Sequence, residues 1–312
     1  MANKPTFSLF LPQAAMDYEM IRERALAIED LGYDGLWLVD HLMAGGLPDV
    51  DFIEGWTAIS ALAEATSRLR LGLLVTCNSF RNPGIVAKMA TTVDHISKGR
   101  CELGMGAGWL EEEYRAYGYD FPAIGTRIDQ LEESLEIITG LFSGQTTTFK
   151  GRHYSFENAP FMPKPLQKPL PITIGGGGKR RMMGLVARFA QRWNCPMPSA
   201  HELSQHLESL KEHCRRVGRD MAEISISEQT AIVIGRDRAE VEVKKQMAQV
   251  MIGSFVDLST MALIGTPDEI IVGLRKKMRA GVDDFAILFG DFGMPDTLEL
   301  FATEVAAKLR KG

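Results

Sequence analysis

Four consecutive glycines, Gly175–Gly178, lie between a predicted strand and a predicted helix, and the cations Lys179, Arg180 and Arg181 follow them. Glycine lets backbone N–H groups approach an anion closely, and the N-terminus of a helix favours negative charge. Cations are otherwise unfavourable in a first helical turn, so a negatively charged ligand would explain them. The run predicts a site for a phosphate or polyanion; the alternative is a flexible turn before a helix.

Two known phosphate-binding patterns are excluded at this loop. A P-loop needs Ser or Thr after its lysine, whereas Lys179 is followed by Arg180. A dinucleotide-binding fingerprint would need glycine at position 180 or, for the run that begins at Gly104, at position 109, which is Trp109. The glycine run is therefore interpreted as a different kind of anion loop.

An acid and a base, Asp40 and His41, directly follow the apolar run 35–39. A histidine in this place can hydrogen-bond to a ligand or protonate it, because its surroundings tune its titration near physiological pH. A second candidate group is Trp109 with Glu111–Glu113, which would offer a stacking ring and an acid. The alternatives are a structural histidine and a solvated helix start.

The histidines and cysteines form no metal or nucleophile pattern. His201 and His206 resemble a zinc-protease motif, but their i, i+5 spacing places the two rings on different faces of a helix. No pair of cysteines has CxxC spacing; they are Cys77, Cys101, Cys195 and Cys214. A nucleophile elbow of the GxSxG type is also missing from the sequence. We therefore predict no metal site.

Short apolar runs alternate with longer segments of helical periodicity, and these elements must position the groups above. The runs are apolar at consecutive positions, as in 71–75, which is typical of strands buried on both faces. The predicted strands are Phe7–Leu11, Gly35–Val39, Leu69–Thr76, Cys101–Met105, Pro171–Ile174, Arg192–Met197, Ile224–Ile234 and Asp284–Phe289. The predicted helices are 17–31, 53–66, 84–97, 125–142, 200–217, 237–251, 267–280 and 295–310.

Eight strands, each followed by a helix, predict an α/β fold of the (β/α)8 TIM-barrel type. A doubly wound sheet is the competing arrangement, but eight units over 312 residues fit a barrel better. The chain 1–312 is predicted to be one domain with an insertion between strands four and five, roughly 145–170. This insertion is irregular and rich in proline and aromatic residues, and it is either a lid or a packed surface loop.

Composition narrows the class of protein. Hydrophobic residues make up 45% of the 312 residues and charged residues 24%, as in ordinary globular proteins. The 35 Lys and Arg against 40 Asp and Glu leave a formal charge of −5, which argues against nucleic acid as a partner. The N-terminus lacks the features of a signal peptide, and no apolar stretch is long enough to span a membrane. We therefore expect a cytoplasmic protein without membrane association.

Taken together, five segments resemble the bacterial luciferase-like flavin and deazaflavin oxidoreductases, and among them most closely the branch that uses the deazaflavin coenzyme F420. The segments occur in the family's order over nearly the whole chain and are Gly35–His41, Leu71–Pro83, Asp94–Arg100, Gly104–Trp109 and Ile174–Gly178. As a set these motifs are specific to the superfamily, although none is specific on its own. They do not encode the substrate.

The resemblance implies a TIM barrel with the cofactor ring at the C-terminal mouth. It implies a non-prolyl cis peptide bond at Leu74–Val75 that supports the ring from behind. It places the cofactor's phosphate-bearing tail at Gly106, Gly108 and the glycine loop. The cofactor-binding residues that it implies are Leu74, Val75, Thr76, Asn78, Gly106, Gly108, Trp109, Gly175, Gly176, Gly177 and Gly178, with His41 and Asp40 as catalytic residues.

The function implied by the resemblance is that of an oxidoreductase that transfers a hydride between coenzyme F420 and a small organic substrate. An FMN-dependent luciferase-like monooxygenase is the first alternative, because FMN and F420 share the barrel and similar phosphate sites. The second alternative is a non-catalytic protein that binds a flavin or deazaflavin. The presence of both Asp40-His41 and the glycine loop argues against this second alternative. Helices 53–66 and 84–97 carry enough apolar residues to form a homodimer interface.

Overall fold

Strands and helices alternate along the part of the chain that the computed structural model describes, residues 4–45, 47 and 49–311. The strands are β1 (Thr6–Phe10), β2 (Gly35–Leu38), β3 (Arg70–Leu73), β4 (Thr76–Cys77), β5 (Cys101–Gly106), β6 (Thr146–Lys150), β7 (Ser155–Pro160), β8 (Ile172–Gly175), β9 (Arg192–Cys195), β10 (Ser225–Ile234), β11 (Ala262–Gly265) and β12 (Asp284–Phe289). The helices are α1 (Tyr18–Asp30), α2 (Gly55–Ala65), α3 (Pro83–Ile96), α4 (Glu111–Ala116), α5 (Ile124–Ser143), α6 (Arg181–Phe189), α7 (Leu203–Val217), α8 (Arg238–Met251), α9 (Leu258–Met261), α10 (Pro267–Arg279), α11 (Pro295–Phe301) and α12 (Ala307–Lys311).

Eight of the described strands close into one parallel barrel, in the order β1, β2, β3, β5, β8, β9, β10 and β12. Phe7 of β1 pairs with Phe285 of β12, which joins the first and last strands. Trp193 of β9 pairs with Ile226 of β10 and completes the ring. The predicted TIM barrel is therefore confirmed. The doubly wound alternative is wrong, because an open sheet would leave two unpaired edges.

The strands are buried because helices cover the barrel from outside and side chains fill it from inside. Every residue of β5 and of β12 is buried. Removal of apolar surface from water is the main force that holds such strands and helices together. Helices begin where the sequence supplies a cap: the Asp17 side chain accepts a hydrogen bond from the N–H of Met20 at 2.8 Å, and Thr266 and Glu269 form a capping box.

Most predicted elements are present, with small shifts at their ends, but some differ in kind. The predicted strand Leu69–Thr76 is interrupted after Leu73 and resumes as β4. The predicted helix 200–217 begins as a 3-10 helix over Met197–Glu202, and the predicted helix 295–310 contains a π-helical segment over Ala302–Ala306. β11, which the periodicity did not predict, pairs with β10 beside the barrel ring.

The insertion before β8 is more regular than its composition suggests. Its first part forms an antiparallel hairpin of β6 and β7, in which Phe149 lies opposite Phe156. The turn of this hairpin is fixed to α5, because the Glu133 carboxylate accepts hydrogen bonds from three successive backbone N–H groups, those of residues 152–154, at 2.7, 2.9 and 3.0 Å. The expectation of an irregular stretch over 145–170 is therefore corrected for residues 146–160, which form a hairpin fixed to α5, whereas residues 161–170 form no helix or strand.

Charged side chains occupy the N-terminal end of the barrel. Glu102 of β5 is buried; its Oε2 accepts a hydrogen bond from Arg70 at 3.1 Å, and its Oε1 contacts Arg192. Thr173 also donates to Oε1, at 3.3 Å. Burial opposes ionisation of this carboxyl, but the two guanidinium groups outweigh burial and lower the pKa of Glu102 below its ordinary value. Both oxygens of Glu102 thus have partners inside the protein.

Candidate active site

The predicted site residues meet at the C-terminal end of the barrel, because the strands that carry them are parallel and end on the same side. Thr76 of β4 pairs with Met105 of β5, which pairs in turn with Ile174 of β8. The site residues that lie on or follow these strands and β2 are Asp40, His41, Leu74, Val75, Thr76, Asn78, Gly106, Gly108, Trp109 and Gly175–Gly178. The structure therefore gathers the separate sequence motifs at one mouth.

His41 is held by a buried carboxylate. Its Nδ1 lies 3.1 Å from Oε2 of Glu113, and Oε1 of the same carboxylate accepts a hydrogen bond from the N–H of Leu42. A carboxylate accepts only, so we assign the proton to Nδ1 of His41, which leaves Nε2 as the nitrogen available to a ligand. The side chain of His41 is 26% exposed and that of Glu113 only 2%. This arrangement orients an imidazole for proton transfer.

Glu113 is a candidate site residue that the sequence indicates only as one of three acids. The triplet Glu111–Glu113 predicts a solvated helix start, and Glu111 and Glu112 are indeed exposed. Glu113 instead is buried against a histidine that lies 72 residues away in the chain. No local pattern reveals such a pair. Trp109 lies edge-on to His41 with the ring centroids 5.6 Å apart and is 69% exposed, so most of its ring is open to a ligand.

The Asp40 carboxylate has partners other than His41. Its Oδ2 accepts hydrogen bonds from the N–H of Cys77 at 2.8 Å and from Arg81 at 2.7 Å, and Arg81 also donates to Glu54 at 2.8 Å. Burial raises the pKa of Asp40 to about 6, because the loss of hydration outweighs the attraction of Arg81. Within the described chain no hydrogen bond joins Asp40 to His41, and Asp40 instead fixes the backbone that follows β3.

The chain between β3 and β4 contains the expected cis peptide bond, Leu74–Val75. Val75 packs against two strands at positions that lack a Cβ atom. A Cβ at Gly106 would lie 2.4 Å from Cγ2 of Val75, and a Cβ at Gly175 would lie 2.9 Å from its Cγ1. Both glycines are therefore required by the packing of Val75, which is a reason independent of any ligand. Their predicted contacts with a cofactor stay predictions.

Gly108 is likewise required by the local backbone. Its φ of 75° lies in the left-handed region, and a Cβ there would lie 1.9 Å from the hydroxyl of Tyr114. That hydroxyl also contacts Sγ of Cys77 at 3.1 Å. Packing thus accounts for this glycine, and its predicted role at the cofactor tail stays a prediction.

Thr76 carries an unpaired polar atom next to the cis bond. The residue is fully buried, and its Oγ1 has no hydrogen-bond partner among the residues that the structure describes. Asn78, also buried, donates through Nδ2 to the hydroxyl of Tyr154 at 3.4 Å, which brings the insertion hairpin to the mouth. A buried hydroxyl without a partner is unfavourable. Thr76 therefore fits a ligand that places a polar group at this position, as the edge of a flavin-type ring does.

The glycine loop presents several free backbone donors. Gly176 has a φ of 146°, which side chains rarely tolerate. The carbonyl oxygen of Gly176 accepts a hydrogen bond from Nε1 of Trp193 at 3.0 Å, and that of Gly177 contacts Nε2 of His206. The N–H groups of residues 177–180, in contrast, find no backbone partner in the described chain. Unpaired N–H groups at a helix start form an anion-binding site, so the loop fits a phosphate.

The cations after the glycine run are largely neutralised by other side chains. Lys179 donates to Glu202 at 2.6 Å, and Arg181 forms an ion pair with Asp129 of α5. Arg180 is exposed and has no ion pair in the parts of the chain that are described. The expectation that all three cations serve an anion is therefore corrected: long-range acidic partners neutralise the first and third, and Arg180 remains.

The described chain also contains cysteines and residue types that can bind metals. Its four cysteines are buried and unpaired. Within the described ranges, no group of three or more His, Cys, Asp and Glu side chains is placed to hold a metal ion. Those ranges also contain no helix that is long and apolar enough to cross a membrane. The candidate site is thus built from an imidazole, carboxylates, hydroxyls and backbone amides.

Comparison with known proteins identifies relatives of this chain. A family model described as luciferase-like monooxygenase matches residues 5–256. The F420-dependent glucose-6-phosphate dehydrogenase of Amycolatopsis mediterranei (strain U-32) is 31% identical over 175 residues, which are 54% of this chain and 50% of that protein. The chain thus spans about half the length of this curated relative.

Two solved structures share the architecture over almost the whole chain. An F420-dependent secondary alcohol dehydrogenase in complex with an F420–acetone adduct has a TM-score of 0.85 at 20% identity, covering 98% of this chain and 99% of that chain. The monooxygenase RslO1 from Streptomyces bottropensis has a TM-score of 0.82 at 20% identity, covering 97% and 99%. At this level of identity the likeness shows a shared fold.

Proposed function

Because the chain belongs to the luciferase-like monooxygenase family, we propose that it is an oxidoreductase that transfers a hydride between coenzyme F420 and a small organic substrate. A 31% identical relative and a structural neighbour are both named as F420-dependent dehydrogenases, which supports this cofactor. The observation that carries the proposal is the glycine loop, where the N–H groups of residues 177–180 have no backbone partner in the described chain.

The charge at the loop favours F420 over FMN. The phosphate of F420 is a diester with one negative charge, whereas a phosphate monoester such as that of FMN carries about −1.5 to −2 near pH 7. Lys179 and Arg181 are already paired with Glu202 and Asp129, so Arg180 is the cation that remains at the described loop. Several N–H groups and one cation match a monoanion better than a dianion.

The residues of the mouth would hold the cofactor in three places. The glycine loop would bind its phosphate, Val75 would support the ring, and Thr76 and Asn78 would hydrogen-bond to its polar groups. When bound, the deazaflavin supplies the hydride acceptor or donor. The protein supplies orientation, and Asp40 contributes by holding the backbone of Cys77 in place.

His41 would move the proton that accompanies the hydride. With Nδ1–H directed at Glu113, Nε2 accepts the proton of a substrate hydroxyl during oxidation and returns it to the carbonyl oxygen during reduction. The Glu113 carboxylate holds the imidazole in the orientation that presents Nε2 to the substrate. In this role His41 is a catalytic residue and Glu113 a positioning residue.

Titration of the purified protein, freed of bound cofactor, with F420 and with FMN tests the proposal. Cofactor fluorescence should report F420 binding at least about tenfold tighter than FMN binding, a difference of about 1.4 kcal/mol. The F420 complex should change absorbance when small alcohols or carbonyl compounds are added. Tight FMN binding without F420 binding would favour the monooxygenase alternative. Cofactor binding without turnover of any substrate would favour a non-catalytic carrier.

We also propose that the chain forms a homodimer through α2 and α3. Ile85 of α3 is apolar yet 55% exposed. A shallow cleft of about 300 Å³ separates the two helices and is lined by Trp56, Thr57, Ser60, Ile85, Lys88, Met89 and Thr92. Sedimentation velocity should show a dimer for the wild type and a monomer for Ile85→Glu. A monomeric wild type at micromolar concentration would contradict the proposal.

A further inference from the structure

The start of α7 contacts the glycine loop along one helix face. Lys179 donates to both Glu202 and Gln205 at 2.6 Å, and Ser209 donates to the carbonyl oxygen of Lys179. His206 lies on the same face, since residues three and four apart in a helix are neighbours. The loop is therefore hydrogen-bonded to α7 and the residue before it, whereas in the sequence His206 only resembles a histidine of a zinc motif.

The ring of His206 is fully buried and lies between two carbonyl oxygens. Its Nδ1 lies 2.9 Å from the carbonyl oxygen of Glu202, and its Nε2 contacts that of Gly177. Carbonyl oxygens only accept hydrogen bonds, so Nε2 binds the carbonyl oxygen of Gly177 only when Nε2 carries a proton. A neutral imidazole carries one proton, so Nδ1 then has none to donate to the carbonyl oxygen of Glu202. The neutral ring donates to one of the two carbonyl groups, and we assign its proton to Nε2, the nitrogen that faces the loop.

Trp193 repeats this arrangement on the preceding residue. Its indole is fully buried, and Nε1 donates to the carbonyl oxygen of Gly176 at 3.0 Å. The rings of Trp193 and His206 lie 5.5 Å apart between centroids. Two successive carbonyl groups of the loop are thus held by two neighbouring buried donors, one from β9 and one from α7.

Peptide planarity converts these carbonyl contacts into a direction for the N–H groups. In a trans peptide unit the C=O of one residue and the N–H of the next are coplanar and point in opposite directions. Fixing the carbonyl of Gly176 therefore fixes the N–H of Gly177, and fixing the carbonyl of Gly177 fixes the N–H of Gly178. The N–H of Gly177 therefore points away from Trp193, and the N–H of Gly178 points away from His206. Neither N–H group has a backbone partner in the described chain.

We propose that His206 and Trp193 are positioning residues that aim the N–H groups of Gly177 and Gly178 at the phosphate of the cofactor. The inference rests on the proposed function only in that an anion binds this loop. A run of four glycines has more backbone freedom than any other sequence, so without these donors the loop must be ordered on binding. Ordering one residue weakens binding by about tenfold, and we expect that loss for each donor removed.

The test compares variants that keep or lose each donor. His206→Gln places an amide nitrogen near the position of Nε2 and keeps a donor, whereas His206→Leu has none. Trp193→Phe keeps an aromatic ring and loses the N–H. The dissociation constants for inorganic phosphate, FMN and F420 are measured by calorimetry. We expect about tenfold weaker binding of all three for His206→Leu and Trp193→Phe, and near wild-type binding for His206→Gln.

A matched control separates positioning from general loosening of α7. Leu210 is a fully buried residue of α7 one turn further on, and Leu210→Ala should lower the melting temperature without a change in phosphate affinity. Unchanged affinity in folded His206→Leu and Trp193→Phe would overturn the inference. So would an equal loss of affinity in Leu210→Ala or in His206→Gln. A wild type that binds FMN and phosphate but not F420 would instead overturn the proposed function, and the variants would still decide the inference.

Discussion

Glu102, at the N-terminal end of the barrel, and His41, at the C-terminal mouth, use their polar atoms in opposite ways. At the N-terminal end, both oxygens of Glu102 are engaged by Arg70, Arg192 and Thr173. At the C-terminal mouth, His41 binds Glu113 through Nδ1 and keeps Nε2 free. Polar groups that satisfy one another stabilise a fold, and groups that are held on one side and free on the other bind ligands.

Two buried carboxyl groups show the same contrast in their ionisation. Two guanidinium groups lower the pKa of Glu102 in spite of its burial. Asp40 has one guanidinium, that of Arg81, and burial prevails and raises its pKa to about 6. At Glu102 two guanidinium groups outweigh burial, whereas at Asp40 one guanidinium does not, and the nearby Glu54 carboxylate further opposes ionisation.

The largest expected effect is on stability, at the N-terminal end. Glu102→Ala leaves Arg192, which is buried among acidic side chains, without its closest counter-charge, and should lower the free energy of unfolding by about 3–5 kcal/mol in urea titrations. Turnover per folded molecule should stay near that of the wild type, because Glu102 is at the opposite end from the site. Glu102→Gln, which keeps the volume and one acceptor, should lose less. A loss of turnover at unchanged stability would contradict the contrast between the two ends.

The largest effect at the mouth is expected for His41. His41→Ala removes the group that accepts the proton at Nε2, and should lower turnover by about 100- to 1,000-fold. The melting temperature should fall modestly, because buried Glu113 keeps only the N–H of Leu42 as a partner, and F420 affinity should be kept because the phosphate contacts remain. Stopped-flow measurement of hydride transfer, with calorimetric unfolding on the same preparation, checks both. A lower melting temperature with normal turnover would make His41 a structural histidine.

Asp40 should make stability depend on pH. Its pKa is about 6 in the fold against an ordinary value of 3.8, so the fold favours the protonated carboxyl. That contribution is present below the ordinary value and is lost as the pH rises through 6, with a total of about 3 kcal/mol. Urea unfolding between pH 4.5 and 7.5 should therefore show the wild type losing stability relative to Asp40→Asn as the pH rises. Parallel curves for the two proteins would refute the raised pKa.

The smallest effect is expected from a single methyl group on the glycine loop. In Gly178→Ala the new Cβ would contact only Cβ of Met182, at 3.2 Å, so the variant should fold normally. It should weaken phosphate binding by about three- to tenfold, because the Cβ hinders approach of the phosphate to the N–H groups. Gly184→Ala, inside α6, is the control and should leave binding unchanged, since its closest contact is His213 at 3.4 Å. Gly177→Val is a poorer test, because a Cβ there would lie 2.0 Å from Oγ of Ser199.

Much of the fold follows from local patterns. Runs such as 71–75 and 285–289 are apolar at consecutive positions, as is typical of strands covered on both faces, and their alternation with helices predicts a parallel barrel. The position of the site follows too, because residues after parallel strands share one end. The hairpin of β6 and β7 could not be derived in this way, since it depends on the Glu133 carboxylate, which lies in another element.

The sequence by itself determined the barrel and the end at which Asp40, His41 and the glycine loop meet, because the burial of strands follows from local apolar patterns. It also determined the backbone freedom of the glycine loop, because glycine geometry is a local property. Only the tertiary structure decided which charges remain available. Glu113 reaches His41, and Glu202 neutralises Lys179, across long stretches of chain. Electrostatic partners are chosen by distance in space rather than in sequence, so a residue's type indicates what it can do and its folded neighbours decide what it is free to do.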